Sequence, residues 1–177
     1  SFHTTAMCSP TRACLLTGRN QHTTGMGGIA DNATGFPGFD GRINKDTGFI
    51  SEVLRDHGFA TMAVGKWHLA PREETDLASS RKRWPLGRGF ERYYGFMGAE
   101  SNQYAPDLVS DNHFVEQPFA AEDGYHLTED LAGRAIEFIN DLRNVTTDKP
   151  FFLYFAPGAC HAPRQAPREF IDRYAGK

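Results

Sequence analysis

The amino-acid sequence predicts an α/β fold, a mostly parallel sheet flanked by helices, and three observations carry that prediction. Phe49, Ile50, Val53 and Leu54 recur at helical spacing, Gly58 stops the pattern, and residues 59–64 follow as a short apolar strand. Residues 127–142 form the clearest helix, with Leu131, Ala132, Ala135, Ile136, Phe138, Ile139 and Leu142 as its apolar stripe. A turn at 146–149 then leads into Phe151-Phe152-Leu153-Tyr154-Phe155, a continuous apolar run of the kind found in strands buried on both faces. Helix, turn and strand in succession build α/β layers.

Taken in order, residues 1–7 approach the first helix in an extended form, which Thr4 and Thr5 favour. Ser9 suits the N-cap of that helix and Pro10 its first position, where a missing N–H costs nothing. Ala13, Leu15 and Leu16 carry it, and Gly18 can take the left-handed conformation that ends it. Residues 25–30 (Gly-Met-Gly-Gly-Ile-Ala) match G-x-G-x-x-A on paper. A helix and a polar stretch precede them where a dinucleotide site needs a strand, so that reading fails. Residues 31–45 carry Gly and Pro throughout and read as a loop. Either Asp46 or Thr47 fits the cap of the second helix. Residues 71–83 read as a surface loop or irregular helix. Residues 84–98, rich in glycine and aromatics, read as packing, and 102–118 leave room for a short hairpin that could wall a pocket. His126 or Thr128 stands at the start of the long helix.

A chain of 177 residues is long enough for one domain with a real core. Its net charge of −3 makes no electrostatic case for nucleic acid or an anionic membrane as partner. No apolar run approaches the length of a transmembrane helix. The three cysteines, Cys8, Cys14 and Cys160, are an odd number without zinc-finger spacing, which argues against a complete disulfide framework. Two glycosylation sequons, at Asn32 and Asn144, are too short to settle the compartment, and localisation stays open.

Chemistry converges on three stretches. Cys8 sits where the free amides and the positive end of a helix dipole meet, a location that attracts anions. Arg12, one turn in, adds forked donors suited to an oxyanion. Lys66 and His68 follow the first predicted strand and His161 follows the second, and open α/β sheets bind ligands at the carboxyl ends of their strands. If the chain stays extended past Gly65, Lys66 and His68 point the same way and face one site together. Lysine supplies a point charge for an oxyanion, and histidine exchanges a proton near neutral pH.

Cys8-Ser9-Pro10-Thr11-Arg12, followed by Leu16-Thr17-Gly18-Arg19, resembles the first signature of the sulfatase family, and Gly65-Lys66-Trp67-His68-Leu69 resembles the second. His161-Ala162-Pro163, Arg88-Gly89-Phe90, Tyr94-Gly95-Phe96 and Lys149-Pro150-Phe151-Phe152 look like further family landmarks, so the resemblance runs along nearly the whole chain. It implies an alkaline-phosphatase-like α/β domain, of which 1–177 is a partial, internal piece lacking the first and later strands. It implies hydrolysis of sulfate esters, small-molecule or glycan, through a formylglycine made from Cys8 by a formylglycine-generating enzyme that reads Cys8, Pro10 and Arg12. By the same resemblance, Arg12 orients and charge-stabilises the hydrated aldehyde. Lys66 and His68 bind sulfate oxygens, and His161 binds sulfate or assists the leaving oxygen.

The resemblance also implies a calcium ion in the complete protein, held by the oxidised Cys8 together with ligands outside this chain. Asp111-Asn112 precedes the His161 segment, whereas the family's metal pair follows it, and is not assigned. Two rival readings remain: a phosphonate or phosphate monoester hydrolase of the same superfamily, because the esters share size and geometry, and a non-catalytic domain that binds anionic glycans or a partner.

Overall fold

In the computed structural model, which describes residues 4–176, a five-stranded sheet forms the centre, with strand order β4-β3-β2-β1-β5. The strands are β1 (Ala60–Lys66), β2 (Arg92–Phe96), β3 (Leu108–Ser110), β4 (His113–Val115) and β5 (Phe151–Ala156). β1 pairs in parallel with both β2 and β5, and an antiparallel ladder of β3 and β4 extends the far side of β2. The helices are α1 (Cys8–Thr17), α2 (Ile50–Asp56), α3 (Leu127–Val145) and the short α4 (Arg168–Asp172). Among the described residues no helix is long and apolar enough to cross a membrane.

Alternation along the strands sorts the core into two layers, because successive side chains leave a strand on opposite faces. Ala63, Tyr93 and Val109 pack on one face with Ala13 and Leu16 of α1, and with Phe49, Trp67, Trp84 and Phe90. Met62, Val64, Tyr94, Phe96 and Leu108 pack on the other with Leu127, Leu131, Ala135 and Phe138 of α3. Every residue of β1 is buried, as expected of a central strand covered on both sides.

Several elements differ from the sequence expectation. β2 arises inside the stretch read as mere packing: Tyr93, Tyr94 and Phe96 are sheet residues whose pattern Gly95 interrupts. The expected hairpin is β3–β4, turned at Asp111, which has a positive φ of 54° and whose Oδ1 accepts from the Tyr93 amide at 2.8 Å. α2 begins at Ile50, not at a cap on Asp46 or Thr47. Its N-cap is Phe49, whose amide donates to Glu52 Oε2 at 2.8 Å, one half of a capping box. Ile50 and Val53 face outward, and Phe49 fills the core in their place. β5 is half-buried and not covered on both faces, because it forms the sheet edge and leaves Phe155 exposed.

At the ends of β1 and β2 three backbones come too close for any side chain. Gly65 pairs with Gly95 on one side and Ala156 on the other. A Cβ on Gly65 would stand 2.1 Å from the Ala156 carbonyl oxygen, and one on Gly95 would stand 2.0 Å from the Gly65 carbonyl oxygen. Gly65 also has φ +106°, which side-chain-bearing residues rarely adopt. The glycines at 65 and 95 therefore let three strands close up directly beneath Lys66.

Candidate active site

α1 presents Cys8 in its first turn. The helix starts at Cys8 itself, with Met7 as N-cap and no side-chain cap, so the expected cap on Ser9 does not form. The Ser9 hydroxyl turns inward instead and accepts from the Ala30 amide at 3.1 Å, tying the 25–45 loop to the helix start. Pro10 lies among the first-turn positions that have no intrahelical N–H partner, so it still costs no hydrogen bond. Thr11 closes the approach segment: its hydroxyl donates to the Thr5 carbonyl at 2.7 Å and meets the hydroxyls of Thr4 and Thr5. Gly18 ends the helix with φ 65°, as its sequence position implied.

Arg12 stitches this helix to the sheet. Its Nη1 donates to the Lys66 carbonyl at 2.7 Å and to the Tyr154 hydroxyl at 2.9 Å. Tyr93 braces the same strand end, donating its hydroxyl toward the carbonyls of Gly65 and Phe96, both at 2.9 Å. Burial pushes the Tyr154 phenol up from its ordinary range, and the neighbouring Arg12 charge opposes that.

Lys66 is the last residue of β1 and only 4% exposed. Burial lowers its pKa, and the Arg12 charge lowers it further. The Cys8 side chain counters both by charge and by hydrogen bonding, and Asp31 adds to that. Lys66 thus lies within electrostatic reach of residue 8, Arg12 and Asp31.

His68 joins the same group, but not by the route the sequence suggested. β1 does not continue extended: it ends at Lys66, and His68 takes a positive φ of 52°. The Trp67 and His68 amides donate to the carbonyls of Phe96 and Met97, at 3.0 and 3.1 Å, which holds the bend. His68 is 1% exposed, with Nε2 2.6 Å from Asp31 Oδ2 and Nδ1 without a partner among the described residues. Burial lowers its pKa, the Asp31 bond raises it, and the charges of Lys66 and Arg12 lower it.

The structure therefore brings four predicted residues together, Cys8, Arg12, Lys66 and His68. His161 stands apart. It is exposed, and its Nδ1 contacts the Ala162 carbonyl at 2.9 Å and Glu100 at 3.5 Å instead of the Cys8 group. Sequence reasoning missed two members of the site, Asp31 and Tyr154, and mistook the work of Ser9.

The donors suit an anion better than a cation. Lys66 and Arg12 bring positive charge to the start of α1, and the Asp31 carboxylate is engaged by His68. Among the described residues no group of three or more His, Cys, Asp or Glu could hold a metal ion. Calcium needs six to eight oxygen ligands. These residues do not make such a site by themselves.

Comparison with known proteins identifies the family of the chain. The sulfatase family model matches residues 1–177, and the chain belongs to the sulfatase family. An uncharacterised sulfatase of Schizosaccharomyces pombe is 29% identical over 198 residues, covering 100% of this chain and 34% of its own length. The N-acetylgalactosamine-6-sulfatase of Sus scrofa is 33% identical over 93% of this chain and 33% of its own length. The crystal structure of Ps i-CgsB in complex with k-i-k-neocarrahexaose superposes with TM-score 0.73 at 26% identity, over 95% of this chain and 38% of that one. The chain thus spans about a third of the length of the curated relatives it matches.

Proposed function

We propose that this chain carries the nucleophile half of the active site of a sulfuric ester hydrolase, with residue 8 as formylglycine in the working enzyme. The observation that supports it most is the bond from Arg12, one turn after Cys8 on α1, to the carbonyl of a buried Lys66 at 2.7 Å. Such a pocket is built to stabilise negative oxygens, since preorganised cationic and N–H donors in a dry site favour charge that develops there. An aldehyde at position 8 supplies, when hydrated, two hydroxyls on one carbon, one to bond sulfur and one to let sulfate go, which a thiol cannot do.

The chain's own residues then divide the work. Lys66 contacts the sulfate oxygens as a desolvated point charge. Arg12 adds positive charge beside residue 8 and, through its bonds to the Lys66 carbonyl and Tyr154, keeps helix and sheet in register. His68 stands next to both as the titratable member of the group. His161, exposed on its loop, serves the leaving-group side of the substrate in this reading and not the nucleophile side. A formylglycine-generating enzyme is the implied partner, acting on Cys8, Pro10 and Arg12. Relatives named for N-acetylgalactosamine-6-sulfate or solved with neocarrahexaose favour a sulfated sugar as the substrate class.

The test is turnover by the complete protein, produced together with the formylglycine-generating enzyme. An aryl sulfate, a sulfated monosaccharide and an aryl phosphate would be compared. Sulfate-ester turnover well above phosphate turnover is the expected result, and a preference for phosphate would overturn the assignment.

A further inference from the structure

The second cationic signature ends in a histidine whose backbone and side chain are both constrained. His68 has positive φ, is 1% exposed, and makes one side-chain bond, from Nε2 to Asp31 Oδ2 at 2.6 Å. Its other ring nitrogen, Nδ1, is buried without a partner among the described residues. Strained backbone persists only where surrounding structure over-determines it, and it clusters at functional sites. Asp31 in turn is fixed. It follows Ala30, whose amide donates to Ser9 Oγ next to Cys8, and it lies in a single 3-10 turn, Ala30–Asn32.

We propose that Asp31 is a positioning residue, which holds His68 as the Nε2–H tautomer so that Nδ1 offers a lone pair to a hydroxyl in the site. A carboxylate can only accept, so a 2.6 Å contact places the hydrogen on Nε2. A neutral imidazole with hydrogen on Nε2 has a bare acceptor at Nδ1. The groups facing His68 are Asp31, Lys66 and Arg12. Burial and the two cations keep the ring neutral near pH 7 against the pull of Asp31. A neutral ring so held cannot donate to a sulfate oxygen. It receives a hydrogen bond from a hydroxyl, and the sulfate oxygens are left to Lys66 and Arg12. The logic is that of a carboxylate orienting a catalytic histidine, in which the carboxylate sets the tautomer and never touches the substrate. Asp31 is thereby coupled to the nucleophile helix through Ser9, one residue after Cys8.

The inference rests on the sulfatase reading for its kinetic half but not for its tautomer half, and the test separates them. Nitrogen-15 NMR of the His68 ring in the complete protein reports which nitrogen carries hydrogen without any substrate. Nε2–H with a bare Nδ1 is expected in the parent. Asp31→Asn should lose that preference, and Asp31→Glu should restore it. In sulfate-ester kinetics, Asp31→Asn should lower kcat by about 10-fold or more while KM changes little, with Asp31→Glu recovering most of the loss. Nδ1–H in the parent, or an unchanged tautomer and unchanged kcat in Asp31→Asn, would overturn the proposal. The expected tautomers in a protein that turns over no sulfate ester would support the Asp31–His68 assignment and sink the sulfatase reading alone. Asp31 is partly exposed, and the asparagine is isosteric, so the fold should survive the exchange.

Discussion

Arg12 Nη1 lies 2.9 Å from the Tyr154 hydroxyl, joining α1 to the edge strand β5 across 142 positions of chain. The same nitrogen also holds the Lys66 carbonyl at 2.7 Å. One guanidinium group therefore fixes three elements around residue 8.

Removing each end of this link should have different consequences. Tyr154→Phe deletes one acceptor while leaving the Lys66 bond, so it should lower stability by about 1 kcal/mol with little effect on turnover. Arg12→Ala removes charge and both bonds and should lower kcat by about 10²–10³-fold, as loss of a donor at an oxyanion usually does. Chemical denaturation and steady-state kinetics on the two variants read these outcomes.

The glycine beneath the site should be irreplaceable for a steric reason. Gly65→Ala would press a Cβ to 2.1 Å from the Ala156 carbonyl oxygen at φ +106°, and no side chain can yield because the neighbour is backbone. Gly18 also has positive φ, but nothing lies within 4 Å of its Cβ direction. Gly18→Ala should cost about 1 kcal/mol, whereas Gly65→Ala should prevent the strands from closing and yield little folded protein. Soluble yield and thermal unfolding distinguish the two.

Buried His68 should leave a signature in acid stability. Burial lowers its folded pKa below the ordinary 6.5 despite the Asp31 bond. Between that depressed value and about 6.5, the unfolded chain binds a proton that the folded chain does not, so stability rises with pH across the window. Below the depressed value the penalty is complete. The Tm should therefore fall as pH drops below about 6.5, and His68→Gln should flatten that part of the profile.

Much of the site was legible because its chemistry sits in two compact motifs. Cys8 and Arg12 lie one helical turn apart, and Lys66 and His68 follow a strand whose apolar character is plain. The expected reason for the second pair was nevertheless incomplete, since a bend at His68 does what continued extension was meant to do. Asp31 was hidden in a loop of glycines and prolines with no periodicity to mark it. Its role comes from a contact with a residue 37 positions away. Tyr154 looked like core because its hydroxyl belongs to an otherwise apolar run, and only the approach of α1 gives that hydroxyl a partner. Ser9 looked like a cap until the fold brought Ala30 to it. β2 escaped notice because its aromatic residues face both layers and Gly95 interrupts their alternation. Local propensity reads helices and strands, whereas these contacts exist only after the sheet closes.

Residue 8 in the working enzyme should be an oxidised cysteine near Lys66. The most direct measurement joins peptide mass spectrometry across residue 8 to sulfate-ester turnover, on the complete protein made with and without the formylglycine-generating enzyme. Turnover should rise in proportion to the fraction of aldehyde at residue 8 and vanish in Cys8→Ala. Full turnover from a preparation that holds only the thiol, or from Cys8→Ala, would contradict it.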